Sequence, residues 1–103
     1  MKEINTGISV QDWKRICRVL AGNRKIDEAV LFGSRAKGTY APGSDIDLAL
    51  KGSGIILQDI LDLSTGMDQL ELPYKFDLII FDRISEKALS EHIERVGVCV
   101  YRK

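Results

Sequence analysis

Val30-Leu31-Phe32-Gly33-Ser34, ten intervening residues, then Asp45-Ile46-Asp47-Leu48-Ala49-Leu50: this stretch decides the reading of a chain of 103 residues. The apolar run before Gly33 reads as a buried strand, Glu28 to Phe32, that ends at the glycine. From Asp45 to Leu50 the residues alternate, with Ile46, Leu48 and Leu50 on one face and Asp45, Asp47 and Ala49 on the other. A small turn thus precedes a strand that carries two acids on one side.

Residues i and i+2 of a strand point the same way, roughly 6–7 Å apart along it. Asp45 and Asp47 therefore repel each other, an arrangement that a divalent cation makes tolerable. Magnesium suits it best, because it takes oxygen ligands and binds through one or two carboxylates plus substrate phosphates. Asp77, inside Phe76-Asp77-Leu78-Ile79-Ile80-Phe81, is costly to bury without a partner and is the natural third member of the cluster. It is read as general base or as ligand to a second magnesium, whose work would be to lower the pKa of an attacking hydroxyl. Alone, an Asp-X-Asp pair would read as a solvated strand face, and Asp77 as an edge-strand acid. Asp82 reads as a strand-end residue.

Gly33 lets backbone approach a ligand closely. The N–H groups of Ser34 and Arg35, with the Ser34 hydroxyl, could cradle a phosphate, helped by the start of any short helix that follows. The loop has neither the Gly-Lys-Ser/Thr of a Walker A loop nor a Gly-X-Gly-X-X-Gly fingerprint. Arg35 could clamp a phosphate or pair with an aspartate of the cluster. Lys37 reads as a surface charge with an occasional phosphate contact. Tyr40 could stack on a base or stand exposed. Trp13 and Tyr101 read as core or interface aromatics, and His92 as a surface or partly packed histidine.

Outward from this stretch the elements follow in the order α-β-β-α-β-α-β. A first helix from about Ser9 or Val10 to Gly22 carries Trp13, Ile16, Cys17 and Leu20 at helical spacing. Ser53 can cap a longer helix with Ile56, Ile60, Leu63, Met67 and Leu70 inward, weakened at Gly66 and closed before Pro73. A strand from Phe76 to Phe81 follows. Ser85 can cap a last helix with Leu89, Ile93 and Val96 inward, and Val98 to Tyr101 reads as a final strand. The expectation is an α/β fold, a mixed sheet with helices packed on it, formed as one domain over residues 1–103.

Fifteen basic and fifteen acidic residues give zero formal net charge, so extended binding along nucleic acid is not expected. Met1 to Asn5 lack the apolar segment of a signal peptide, and no apolar run approaches a membrane span. The two cysteines, Cys17 and Cys99, read as buried thiols of a cytoplasmic protein rather than a disulfide or a zinc site.

Leu31-Phe32-Gly33-Ser34-Arg35-Ala36-Lys37-Gly38, followed by Gly43-Ser44-Asp45-Ile46-Asp47-Leu48, resembles the signature of the DNA polymerase beta-like nucleotidyltransferases. The Gly-Ser-Arg-Ala-basic-Gly wording and the short length resemble the minimal members, the MNT or MntA-type antitoxins. The resemblance implies a palm-like mixed sheet and transfer of a nucleoside monophosphate from an NTP with magnesium. It places the phosphate turn at Gly33 and Ser34, the metal pair at Asp45 and Asp47, and the third carboxylate at Asp77. It also implies a helical HEPN-domain partner, a toxin that several such antitoxins AMPylate on a tyrosine.

Three functions stay open at this point. The first is transfer of AMP from ATP to a hydroxyl of a partner toxin. The second is modification of a small molecule such as an aminoglycoside, which a homodimer that builds an acceptor pocket would favour. The third is a binding module that neutralises its partner by contact alone. A chain this short leaves no room for an acceptor-binding domain, so the acceptor site is expected from a second subunit, another protein or an open cleft.

Overall fold

The computed structural model describes residues 6–103, so the signal-peptide reading of Met1 to Asn5 lies outside the described residues. Helix α1, Val10–Ala21, begins where Ser9 accepts a hydrogen bond from the Asp12 N–H at 3.0 Å. Its apolar stripe buries Ile16 and Leu20 completely. Strand β1, Ile26–Phe32, starts two residues before the expected Glu28. A single helical turn, α2, Ser34–Lys37, follows Gly33. Then come β2, Ile46–Gly52; α3, Leu57–Asp68; β3, Phe76–Ile80; a 3-10 turn, Phe81–Arg83; α4, Lys87–Val96; and β4, Val98–Arg102.

The four strands form one sheet in the order β3-β2-β1-β4. β1 runs antiparallel to β2 and to β4, while β2 and β3 run parallel. Parallel neighbours need a crossover, and α3 supplies it between β2 and β3. The mixed α/β architecture and the element order agree with the sequence reading. Residues 76–81 were expected to form one strand; Phe81 instead turns off into the 3-10 segment.

The alternation in β2 explains the layers. Ile46, Leu48 and Leu50 join Ile16, Leu20, Leu63, Met67 and Leu78 in the larger core, beneath α1 and α3. Each fully buried side chain among them contributes about 1.5–3 kcal/mol relative to exposure. Gly66 has a packing reason: a Cβ there would lie 2.8 Å from Cγ1 of Val19, so its absence lets α3 approach α1. On the opposite face Val30, Ala49 and Ile93 form a smaller core, with Leu89, Ile79, Phe81 and Ile84 packed around it. Helix α4 covers that face.

Three local expectations are corrected. Ser53 does not cap α3; the helix starts at Leu57, and the Asp59 carboxylate accepts the Ile56 N–H at 2.8 Å. Ser85 does not cap α4, which begins after Glu86 without a side-chain cap. Cys99 is exposed rather than buried, because it sits on the outward face of a β4 whose Val98 and Val100 pack inward. Cys17 is half-buried and donates to the Val100 carbonyl at 3.3 Å, and both thiols are free. Burial pushes the Cys17 thiol above its ordinary pKa, and Cys99 adds to the shift.

Candidate active site

The sheet register brings two of the sequence-selected acids side by side. Asp47 of β2 pairs with Asp77 of β3, and because the strands are parallel both side chains leave the same face. On the other side Asp47 pairs with Phe32, the last residue of β1. Asp45 lies just ahead of β2, exposed. The three acids therefore form an open row at the end of the face that α4 leaves uncovered. Asp77 is exposed on the edge strand, so the expected burial cost is absent, and its place in the row rests on register alone.

Charge crowding is visible at the centre of the row. Burial pushes the Asp47 carboxyl above the usual carboxylate range, and first Asp77 and then Asp45 push it further the same way. Among the described residues no group of three His, Cys, Asp or Glu forms a ready metal cage. An open acid row of this kind fits a magnesium ion whose other ligands are phosphate oxygens and water.

Gly33 touches this row. Its φ of 78° and ψ of −157° lie where residues with a Cβ are strained. A Cβ built at Gly33 would collide with Oδ2 of Asp47. The missing Cβ thus lets the Asp47 carboxylate lie directly against the Gly33 backbone where the turn begins. Ser34 opens α2 and is half-buried; Lys37 closes α2 and is exposed.

Arg35 bonds to backbone carbonyls and not to an aspartate of the row. Its side chain is 2% exposed. Nε and Nη2 both donate to the Ser44 carbonyl, at 3.1 and 2.9 Å, and Nη1 donates to the Thr6 carbonyl at 2.8 Å. The guanidinium lies over two rings, 4.8 Å from the centre of Tyr40 and 4.9 Å from that of Tyr74. Among the described residues it forms no ion pair with an aspartate. Tyr40, considered for stacking on a base, stacks on Arg35 instead.

Thr6, Ser44 and Tyr74 around this arginine were missed. Tyr74 also donates to the Gly7 carbonyl at 3.3 Å. Their contacts join parts of the chain far apart in sequence, and no local pattern announces them. Trp13 is partly buried and donates to the Thr6 hydroxyl at 3.1 Å. Tyr101 packs on the larger core, His92 is half-buried on α4, and Asp82 is exposed in the 3-10 turn. A groove of about 470 Å³ beside β3, lined by Leu57, Ile60, Ile80, Ile84 and Leu89, includes none of the three aspartates. Arg83, Ser85 and Glu86 stand among its otherwise apolar walls.

A mixed sheet with a glycine turn set against an acid row is the architecture of a nucleotide-handling transferase. The family described as polymerase beta nucleotidyltransferase matches residues 14–103, and the chain belongs to that family. No curated protein matches the chain at significance. Among solved structures, a toxin–antitoxin crystallised with AMP-PNP is similar at a TM-score of 0.75 and 21% identity, over 89% of this chain and 74% of that one. The toxin–antitoxin MntA-HepT is similar at 0.69 and 18%, over 92% and 74%. A Shewanella oneidensis complex of a tri-AMPylated HEPN toxin with an MNT antitoxin is similar at 0.66 and 17%, over 88% and 70%. At these identities the likeness is one of fold. No described helix is long and apolar enough to cross a membrane.

Proposed function

We propose that this nucleotidyltransferase moves AMP from ATP to a hydroxyl on a partner protein, a tyrosine of a HEPN-type toxin, and so acts as the antitoxin of a pair. Residues 1–103 are read as one minimal nucleotidyltransferase domain. The observation that carries the reading is the contact of Gly33 with Asp47, in a row where Asp47 stands beside Asp77. It sets a phosphate-binding turn against the acids that would hold magnesium. The fold likeness to an antitoxin crystallised with AMP-PNP, and to another bound to an AMPylated HEPN toxin, supports the choice of nucleotide and partner. Free thiols, one of them exposed, suit a cytoplasmic setting.

In this reading Gly33 and Ser34 hold the triphosphate through backbone N–H groups and the Ser34 hydroxyl, with Lys37 adding charge from α2. Asp45 and Asp47 bind magnesium and Asp77 binds a second ion or takes the proton. Magnesium bound there supplies Lewis-acid stabilisation of the phosphates and lowers the pKa of the attacking hydroxyl. The acceptor oxygen forms a bond to the α-phosphorus, the bond from that phosphorus to the bridging oxygen breaks, and pyrophosphate leaves. The hydroxyl proton passes to the Asp77 carboxylate, which is exposed to an incoming acceptor. An open row accommodates an acceptor carried by another protein.

The test is transfer of label from α-labelled ATP, with magnesium, to a co-purified HEPN-type partner. Label on a partner tyrosine is expected, and Asp47→Asn should lower the rate by about 10³-fold, the scale of lost metal-assisted charge stabilisation. An Asp47→Asn protein that still suppresses its partner fully would establish neutralisation by contact and remove the enzymatic antitoxin reading.

A further inference from the structure

Ten residues separate Ser34 from Asp45 in the chain, yet one side chain spans the gap. Arg35 is covalently next to Ser34, and its guanidinium grips the carbonyl of Ser44, which is covalently next to Asp45. The loop between them is closed on itself by Ser44, whose Oγ accepts the Ala41 N–H at 2.9 Å and donates to the Ala41 carbonyl at 2.7 Å. The guanidinium is fixed from outside the loop as well. Thr6 accepts its third hydrogen bond, and the ring of Tyr74, three residues ahead of Asp77, lies 4.9 Å from it, as the ring of Tyr40 within the loop lies 4.8 Å away.

We propose that Arg35 is a positioning residue that sets Asp45 against the Gly33-Ser34 turn, so that the phosphate site and the first metal carboxylate keep a fixed separation. This inference rests on the function proposed above. Arg35 has no acid partner among the described residues, and three backbone hydrogen bonds and two aromatic rings offset the cost of burying its charge. A planar fork gives the Ser44 carbonyl two donors and the Thr6 carbonyl a third in one fixed plane, so lysine would keep the charge and lose the geometry. Tyr74 joins the β3 entry to the same anchor, which gives Asp77 a common frame with Asp45.

The experiment measures Mn²⁺ binding by electron paramagnetic resonance, with a non-hydrolysable ATP analogue present, on the full chain at a temperature well below its melting point. Thermal unfolding of the metal-free protein runs in parallel. Wild type should bind Mn²⁺ and Asp47→Asn should lose it. Arg35→Lys should weaken Mn²⁺ binding by about tenfold or more, as expected when a partner that orients a metal ligand is lost. Tyr74→Leu should weaken it in the same direction, and Tyr74→Phe, which keeps the ring, should retain most of it.

If Arg35→Lys only lowers the melting temperature and binds Mn²⁺ within about twofold of wild type, Arg35 is structural and the proposal is overturned. If wild type itself binds no Mn²⁺ with the analogue, the metal-dependent function fails and this inference with it. Should Arg35→Lys fail to fold, the comparison of Tyr74→Leu with Tyr74→Phe decides: equal Mn²⁺ binding by the two overturns the proposal.

Discussion

The row Val30–Ala49–Ile79 and the row Phe32–Asp47–Asp77 lie two residues apart on the same face of the same three strands. The first runs under α4, where Ala49 is fully buried and Ile93 is 1% exposed, and Ile79 at its β3 end is half-buried. The second continues the same alternation past the edge of that cover and carries acids. Backbone geometry is shared, so the difference comes from what lies above. The Phe81–Arg83 turn redirects the chain after β3, and the core beneath α4 takes in the first row and Phe32 of the second but neither Asp47 nor Asp77. Stability is concentrated in one row and charge in its neighbour, within a single sheet.

The largest expected effect comes from moving an acid across that boundary. Ala49→Asp would place a carboxylate under α4, where the surrounding Val30, Ile79, Leu89 and Ile93 provide no hydrogen-bond partner. Urea unfolding should register a loss of about 4 kcal/mol or more, the range of a buried unpaired charge. A loss below about 1 kcal/mol, the ordinary cost of a point substitution, would mean that α4 lifts readily and that the two rows do not differ as described.

The two rows were unequally legible in the sequence. Alternation in Ile46 to Leu50 separates the two sheet faces correctly, because a period of two is a local property of the strand. It also puts Asp45 and Asp47 together. The position of Asp77 beside Asp47 follows from a parallel register that no local pattern encodes, and it was inferred from one acid in an apolar run. The caps at Ser53 and Ser85 failed because these good capping residues sit four and two residues ahead of the helix starts at Leu57 and Lys87. The partners of Arg35 were illegible for the opposite reason: its immediate neighbours point to phosphate, while Thr6 and Tyr74 come from the two ends of a long loop closure.

The second effect is smaller and concerns the acid row by itself. Burial and the neighbouring aspartates raise the Asp47 pKa, so its ionised form is favoured less in the folded chain than in the unfolded one. The penalty is complete above the raised value and is relieved as pH falls through it toward the ordinary carboxylate range. Metal-free Asp47→Asn should therefore be more stable than wild type at neutral pH, by less than about 1 kcal/mol because water screens this half-exposed group. The gain should shrink on acidification. A variant less stable than wild type at neutral pH would show that Asp47 makes a favourable contact in the row, and the contrast between strained and sealed rows would need revision.

The smallest effect sharpens the contrast by choosing an acid that the fold favours. Asp59 accepts the Ile56 N–H at 2.8 Å, the Lys25 ammonium at 3.0 Å and the Asn23 amide at 3.1 Å. The Ile56 hydrogen bond first, and then Lys25, hold its pKa below the usual carboxylate value. The sign is opposite to that of Asp47: the stability it contributes is complete above the ordinary carboxylate pKa and is lost as pH falls through the lowered one. Asp59→Ala should lower the melting temperature slightly at neutral pH, since water can replace much of what an exposed helix start loses. The deficit should close on acidification, at a lower pH than the Asp47→Asn gain closes. On one acid titration the wild type therefore first recovers the cost at Asp47 and then loses the benefit at Asp59. A deficit in Asp59→Ala that persists below both transitions would assign the role of Asp59 to packing rather than to charge.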